Sequence, residues 1–394
     1  MDVKQLYTLV NTVTSEVLGK TDLVQEDLTG VVDLGTELFN ANAYDKYVKS
    51  LVNHIGKMVF VTRAYKGGVP SVVMDSWEFG SVLEKVQAEL PEATENETWE
   101  LEDGQSYDPN IFYKPVVSAK FYNNLTTFEV PCSFTDKQVK QSFSNQAQFN
   151  SFISMIYNAV EKSMTVKLDA LIMRTICNFV GETIYAEYGA NDPGASSKVK
   201  AVNLLKRYND ILTASDANAT PLTAAEALTN GEFLKYACMT IGLYTKRLEK
   251  ISSLFNIGGK ARFTPNDLLT VVMHADFVKA SSVYLEADTF HKELVALPGY
   301  DEVPYWQAPG QDYEFANTGK ITITTSGNHA ITIKGVVCTM FDKEALGVNI
   351  PDKRVTSNYN PKAEFTSNWF KWDARYFNDT NENFVVFFIQ DPAN

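Results

Sequence analysis

The sequence predicts an α+β fold, and three observations carry that expectation: one amphipathic helix of unusual length, β-rich segments before and after it, and enough apolar residues for a large core. The stretch FNSFISMIYNAVEKSMTVKLDALIMRTICNFV, residues 149–180, places Phe149, Phe152, Ile153, Ile156, Tyr157, Val160, Met164, Leu168, Leu171, Ile172, Ile176, Phe179 and Val180 in steps of three and four. Asn145 and Gln148 have capping-box spacing upstream, and Gly181 or the glycines of 189–194 offer a stop. A helix over roughly 146–184 is about 55 Å long. Something must lie along it. Glu161, Lys162, Lys167, Asp169 and Arg174 interrupt the apolar residues, which excludes a membrane span. A coiled coil is open, but a single segment flanked by strand-like sequence favours a spine across which other elements pack.

The chain has 394 residues, 45% apolar and 12% aromatic, sufficient for a buried core and for two or three domains. Its net charge of -13 argues against general affinity for nucleic acid or anionic membrane, since a phosphate-binding surface needs clustered Lys and Arg. The run from Lys246 to Lys250 is mixed in sign and reads as a solvated helix face. Val3, Leu6, Val10, Val13 and Val17 have helical spacing, with Asp2 and Glu16 where a signal peptide would be basic and then uniformly apolar. Cys132, Cys177, Cys238 and Cys338 are widely separated among apolar neighbours, which suggests buried free thiols in a reducing compartment. Without a secretory route the sequons at Asn96 and Asn124 carry no weight.

Residues 1 to about 55 read as an arm: a helix to Val17, then short pieces broken at Gly30 and Gly35. KMVFVTRAY (57–65) is strand-like, and SVVMDSW (71–77) is placed to return beside it. From Glu84 to Asp108 the carboxylates face a single lysine, Lys85, so this stretch is either a solvated loop or matched to a basic partner. FYKPVVSAKFY and LTTFEVPCSF follow, with Asn123-Asn124 as a hairpin turn between them. Thr135 and Gln138 cap a short helix before the spine. After a linker at 188–197, helices are expected over 198–214, 223–229 (Thr223 and Glu226 as capping box) and 231–255. Then come a strand at 267–274, a helix at 275–285, a short helix at DTFHKEL, and strands at KITITT, HAITIKGVVCTMFD and NFVVFFI. The last is apolar on both faces and reads as interior to a sheet.

No catalytic pattern emerges. His54, His274, His291 and His329 do not pair at ligand spacing, and His291 in HKEL reads as an ordinary exposed helical residue. GANDPGASSK (189–198) lacks the Gly-Lys-Ser/Thr ending of a phosphate loop and follows a helix, so it reads as a loop. Nucleophile elbows, dinucleotide fingerprints and calcium loops are absent, which shifts the reading towards a structural or binding role.

The order of segments (arm, long β excursion, very long helix, mixed α/β region, closing strands) resembles the major capsid proteins of tailed bacteriophages, the Hong Kong 97-type capsid fold. FTPNDLLTVVMHADFVKA (263–280) resembles that family's strand-then-helix segment, EADTFHKEL (286–294) the short helix after it, FDKEALGVNIPDKRV (341–355) its late stretch, and 360–389 its last aromatic-rich strands. The resemblance implies an N-terminal arm at 1–56, an extended loop with flanking strands at 57–131, a peripheral domain with the spine helix at 132–197, an axial domain at 198–345, and closing peripheral strands at 346–394. It also implies self-assembly as hexamers and pentamers into an icosahedral head around double-stranded DNA, with no membrane, no cofactor and no enzymatic role.

Partners implied are other copies of the chain, a portal and decoration proteins. Because the sequence opens with a short arm, a separate scaffolding protein is also expected. The location implied is the virion, after assembly in the host cytoplasm. The family's isopeptide cross-link has no assignable lysine donor. Glu95, Glu97, Glu100, Glu102 and Asp103 are the candidate interface residues, meeting a basic patch on an adjacent subunit. Two other readings stand beside this one: an encapsulin-like compartment shell, which the length and the 84–108 insertion disfavour, and a cytoplasmic enzyme using carboxylate chemistry.

Overall fold

The computed structural model describes residues 3–20, 24–25, 30–41, 43, 46–47, 50–51, 69–74, 83–88, 102–106, 110, 112, 114, 116–135, 137–138, 141, 146–287, 299–307 and 319–393. The expected strand at 57–65, the Asn145 cap and the DTFHKEL helix with His291 lie outside them. The chain forms two compact units, Met1–Glu78 with Leu125–Met173 and Val348–Arg375, and Phe79–Asn124 with Arg174–Gly347 and Tyr376–Asn394. The spine, α3 (Gln146–Tyr188, 43 residues), contributes to both. It is preceded by α1 (Val3–Leu18) and α2 (Val31–Asn40). Its C-terminus is set by Gly189 at φ +58, whose N–H reaches the Tyr185 carbonyl at 2.8 Å, a left-handed stop that glycine adopts without strain. Gly181, the other expected stop, lies inside the helix.

In the first unit, Leu9, Val10 and Val13 of α1 and Leu34 and Leu38 of α2 pack in one core with Phe149, Ile153, Ile156 and Val160 of α3. The arm therefore buries its apolar stripe within its own unit. Gly35 does not break α2, contrary to expectation; one glycine costs about 1 kcal/mol, less than the burial of Leu34 and Leu38 returns. A three-stranded sheet, ordered β10 (Leu346–Asn360), β11 (Phe365–Asn378) and β3 (Leu125–Thr135), adds Phe370 and Trp372 to this core. β11 pairs antiparallel with β3 from Phe365↔Thr135 to Arg375↔Leu125. Phe134 meets Phe152 of the spine edge-on at 5.4 Å. At the end of β3, Thr135 and Gln138 exchange the bonds of a capping box, at 3.1 and 3.3 Å.

The hairpin expected at Asn123-Asn124 is not formed. β3 pairs with β11, whereas β2 (Val117–Tyr122) pairs antiparallel with β1 (Leu83–Ala88), so consecutive strands enter different sheets. In sequence, residues 89–116 connect β1 to β2.

The second unit is built on a mixed five-stranded sheet in the order β4 (Ala201–Asn203), β12 (Phe384–Phe388), β9 (Val336–Asp342), β5 (Leu269–His274) and β6 (Asp301–Val303). β4 runs parallel to β12 and β6 parallel to β5, and the other pairs are antiparallel. One face carries Val385, Phe387, Val271 and Met273 and is covered by α4 (Leu204–Ser215), α6 (Gly231–Leu248) and α7 (Ala275–Ala287), with the single turn α5 (Ala224–Ala227) before α6. From the other face Phe384 stacks on Phe179 at 4.2 Å and Phe388 meets Tyr188 at 6.2 Å, so the spine's last turns cover it. This is why NFVVFFI is apolar on both sides.

Two helix boundaries differ from the sequence reading. Residues 198–203 are not helical, because Ala201–Asn203 extends beside β12 and the Asn203 side chain, accepting from the Lys206 N–H at 3.2 Å, starts α4. α6 ends at Leu248 instead of 255, as the chain turns to bury Phe255 and bridge Ser252 to Arg262. Thr223 and Glu226 form the expected capping box of α5. A small hairpin, β7 (Ile321–Thr324) and β8 (Ala330–Ile333), docks on the spine: His329 stacks on Tyr185 at 4.2 Å, and a Cβ at Gly181 would lie 2.0 Å from Ile323 Cδ1. Backbone approaches as closely at Gly335, φ +61, where a Cβ would lie 2.0 Å from the Ile389 carbonyl oxygen. Gly335→Ala is expected to destabilise the second unit by about 2–4 kcal/mol through strain and overpacking, read as a lower thermal midpoint; an unchanged midpoint contradicts the packing described.

Candidate functional site

The candidate surface is the extended ribbon and its root. Strand alternation gives the ribbon two chemically different faces. Glu84, Val86 and Ala88 lie opposite Phe121, Ala119 and Val117, and this face is open, with Val86, Val117 and Phe121 each more than half exposed. The other face carries Lys85 directly opposite Lys120. Like charges in that position repel, so the pair requires an anion.

The anion is Asp379, whose carboxylate is 0% exposed. Lys85 Nζ lies 3.2 Å from its Oδ2 and Lys120 Nζ 3.0 Å from its Oδ1. The same Oδ1 accepts from the Asn381 N–H at 3.0 Å. Lys85 also reaches Glu382 at 2.9 Å and Glu344 at 3.3 Å, and Arg262 approaches Glu382 at 3.5 Å. Tyr122, from the same face, packs its ring on Phe377 at 5.2 Å. Lys85, counted as a solitary cation in an acidic stretch, is thus largely buried in an ion cluster that roots the ribbon.

Burial alone would raise Asp379, but the Asn381 N–H and the two lysines outweigh it and hold the carboxyl below the usual carboxylate range. Burial would likewise depress Lys85, but Glu382, Asp379 and Glu344 hold it above its ordinary value. Close by, Asp342 is pushed up by burial, although it accepts from the Glu344 N–H at 2.9 Å and the Thr264 hydroxyl at 2.8 Å.

Of the five predicted interface residues, Glu95, Glu97 and Glu100 lie outside the described residues. Glu102 and Asp103 are exposed on a turn in which the Gln105 N–H meets the Glu102 carbonyl at 3.3 Å and Gly104 adopts φ +88. The root residues Lys120, Asp379 and Glu382 escaped the sequence reading. Their partners lie some 260–300 positions away, a spacing no local pattern encodes. Among the described residues no group of three or more His, Cys, Asp and Glu is arranged to hold a metal ion, and no helix is long and apolar enough to cross a membrane.

The root generates a pH dependence. A depressed carboxyl contributes stability that is complete above its unfolded value, about 4, and is lost as pH falls through the folded value. Hydrogen exchange in 83–88 and 117–122 should therefore accelerate below about pH 4 beyond its intrinsic trend. Asp379→Ala should loosen both strands already at neutral pH, at a cost of about 3–5 kcal/mol. Equal protection in wild type and variant at pH 7 counts against the rooting.

The chain matches the family described as Phi29-like phage major capsid protein over residues 10–388. Comparison with curated proteins finds no match. Among solved structures it is similar to a chain in the capsid structure of Staphylococcus phage Andhra, with 9% identity and a TM-score of 0.49 over 81% of this chain and 83% of that one. A chain in a structure of the head fiber and inner core protein gp22 of native bacteriophage P68 is similar at 10% identity and a TM-score of 0.48, covering 84% and 86%. One from Microbacterium phage Oxtober96 gives 10%, 0.43, 84% and 93%. With its match running through nearly the whole sequence, the chain belongs to the Phi29-like phage major capsid protein family.

Proposed function

We propose that this major capsid protein assembles with copies of itself, as hexamers and pentamers of a Hong Kong 97-type subunit, into the icosahedral head of a tailed phage. The family match over residues 10–388 carries the reading and favours it over a compartment shell or a carboxylate enzyme. Within it, 1–56 serves as the arm, 57–131 as the extended loop, 132–197 as the peripheral domain with the spine, 198–345 as the axial domain and 346–394 as closing strands. The role is structural and not catalytic. Its further partners are a separate scaffolding protein, a portal and decoration proteins, and assembly takes place in the host cytoplasm before the protein enters the virion.

Two physical features support the reading. The ribbon's open face, with Val86, Val117 and Phe121, is apolar surface of the kind that neighbours cover in an assembly. The net charge of -13 suits a wall that encloses DNA without gripping its sequence.

Within this reading, Glu95, Glu97, Glu100, Glu102 and Asp103 lie at a subunit interface. Electron microscopy with sedimentation of the chain expressed alone and with a candidate scaffold should give closed shells, tubes, or rings of five and six. A persistent monomer under both conditions contradicts the function. Reversing the charges of Glu97, Glu100 and Glu102 should reduce shell yield severalfold, and shells formed in wild-type yield would remove these residues from the interface.

A further inference from the structure

We propose that Arg207 of α4 and Arg247 of α6 form a carboxylate clamp that receives the exposed Glu102–Asp103 turn of a second copy. The inference rests on the shell-subunit reading and names the surface that receives the acidic loop.

Both guanidiniums gather at one ring. The Cζ of Arg207 lies 5.9 Å and that of Arg247 4.9 Å from the centroid of Tyr244, close enough for each cation to be drawn to the ring's electron density. The ring is buried, with Phe255 and Phe387 meeting it edge-on at 5.9 and 5.1 Å, so it is a fixed platform. Two cations held at one ring concentrate positive charge there, which an anion would neutralise. Arg207 donates to the Lys198 carbonyl at 3.3 Å, and among the described residues neither arginine is ion-paired with a carboxylate. Adjacent lysines are matched: Lys206 by Asp210 and Lys246 by Glu249. The unneutralised pair is thus specific to the two side chains whose planar forks suit carboxylates.

The surroundings identify the occupant. Met239 and Leu243 precede Arg247 at steps of four along α6 and are 59% and 47% exposed. Apolar side chains beside arginine are the composition of a protein interface core. A nucleic-acid surface instead needs many clustered cations, whereas the neighbouring Lys206 and Lys246 are already matched by Asp210 and Glu249. The exposed Glu102–Asp103 turn, in which the Gln105 side-chain amide donates to Glu102 Oε2 at 3.2 Å, supplies two adjacent carboxylates on the same chain type.

The test is a charge swap in the full chain, read by shell yield in sedimentation and electron microscopy, with circular dichroism melts to establish that each variant folds. Arg207→Glu with Arg247→Glu should lower yield at least tenfold, as should Glu102→Arg with Asp103→Arg, and combining all four should restore most of it. If the acidic variant fails to assemble but the arginine variant assembles normally, the clamp is overturned while the loop reading survives. If both assemble normally, both are overturned. Should the arginine variant misfold, Arg207→Gln with Arg247→Gln replaces it, and a yield equal to wild type overturns the clamp. Binding of wild type to duplex DNA that the arginine variant loses, with shell yield unchanged, makes phosphate the ligand and also overturns it.

Discussion

A helix of 43 residues persists in water only if its side chains are covered, and the way α3 is covered changes along its length. Up to Met164 the buried positions form one stripe: Phe149, Phe152, Ile153, Ile156, Val160 and Met164. From Leu171 onward burial extends nearly all round, taking in Thr175, Cys177, Gly181, Thr183 and Ile184. The second regime demands small or self-satisfied residues. Thr183 returns its hydroxyl to the Phe179 carbonyl at 2.9 Å, Cys177 offers its thiol to the Trp306 carbonyl at 3.2 Å, and Gly181 makes room for Ile323. The change coincides with the passage of the helix from one compact unit to the other after Met173.

A second constraint is electrostatic. Asp379 has no access to water, so cations must come to it, and they come from two strands that face each other in register. That requirement commits one face of the ribbon to its own unit and leaves the apolar face of Val86, Val117 and Phe121 without cover. A ribbon anchored by buried charge at its root and open along its outer face is built to present itself to another surface. In the proposed shell, that surface belongs to another copy of the chain.

What the sequence made legible follows the range of each interaction. The spine, α1, the Thr223–Glu226 box and the interior strand 384–388 are written in periodicity and spacing within a few residues, and they are found where expected. Pairing is not local. Asn123-Asn124 has the composition of a hairpin turn, yet β3 pairs with β11, where Phe128 packs beside Trp372 at 5.6 Å, and not with the strand next to it in sequence. Lys85 looked solvated for the same reason, since its carboxylates at 344, 379 and 382 lie far along the chain. The clamp arginines gave no signal either, because KRLEK records mixed charge but not that the partner of Arg247 is an aromatic ring.

The most direct measurement is a cryo-electron microscopy reconstruction of the particle formed by the full chain. Subunits are expected in rings of five and six, with Lys85 and Lys120 closed on Asp379 within each subunit and the acidic turn seated on a different copy. An assembly without such rings, or a ribbon whose lysines contact another subunit in place of Asp379, would contradict this arrangement.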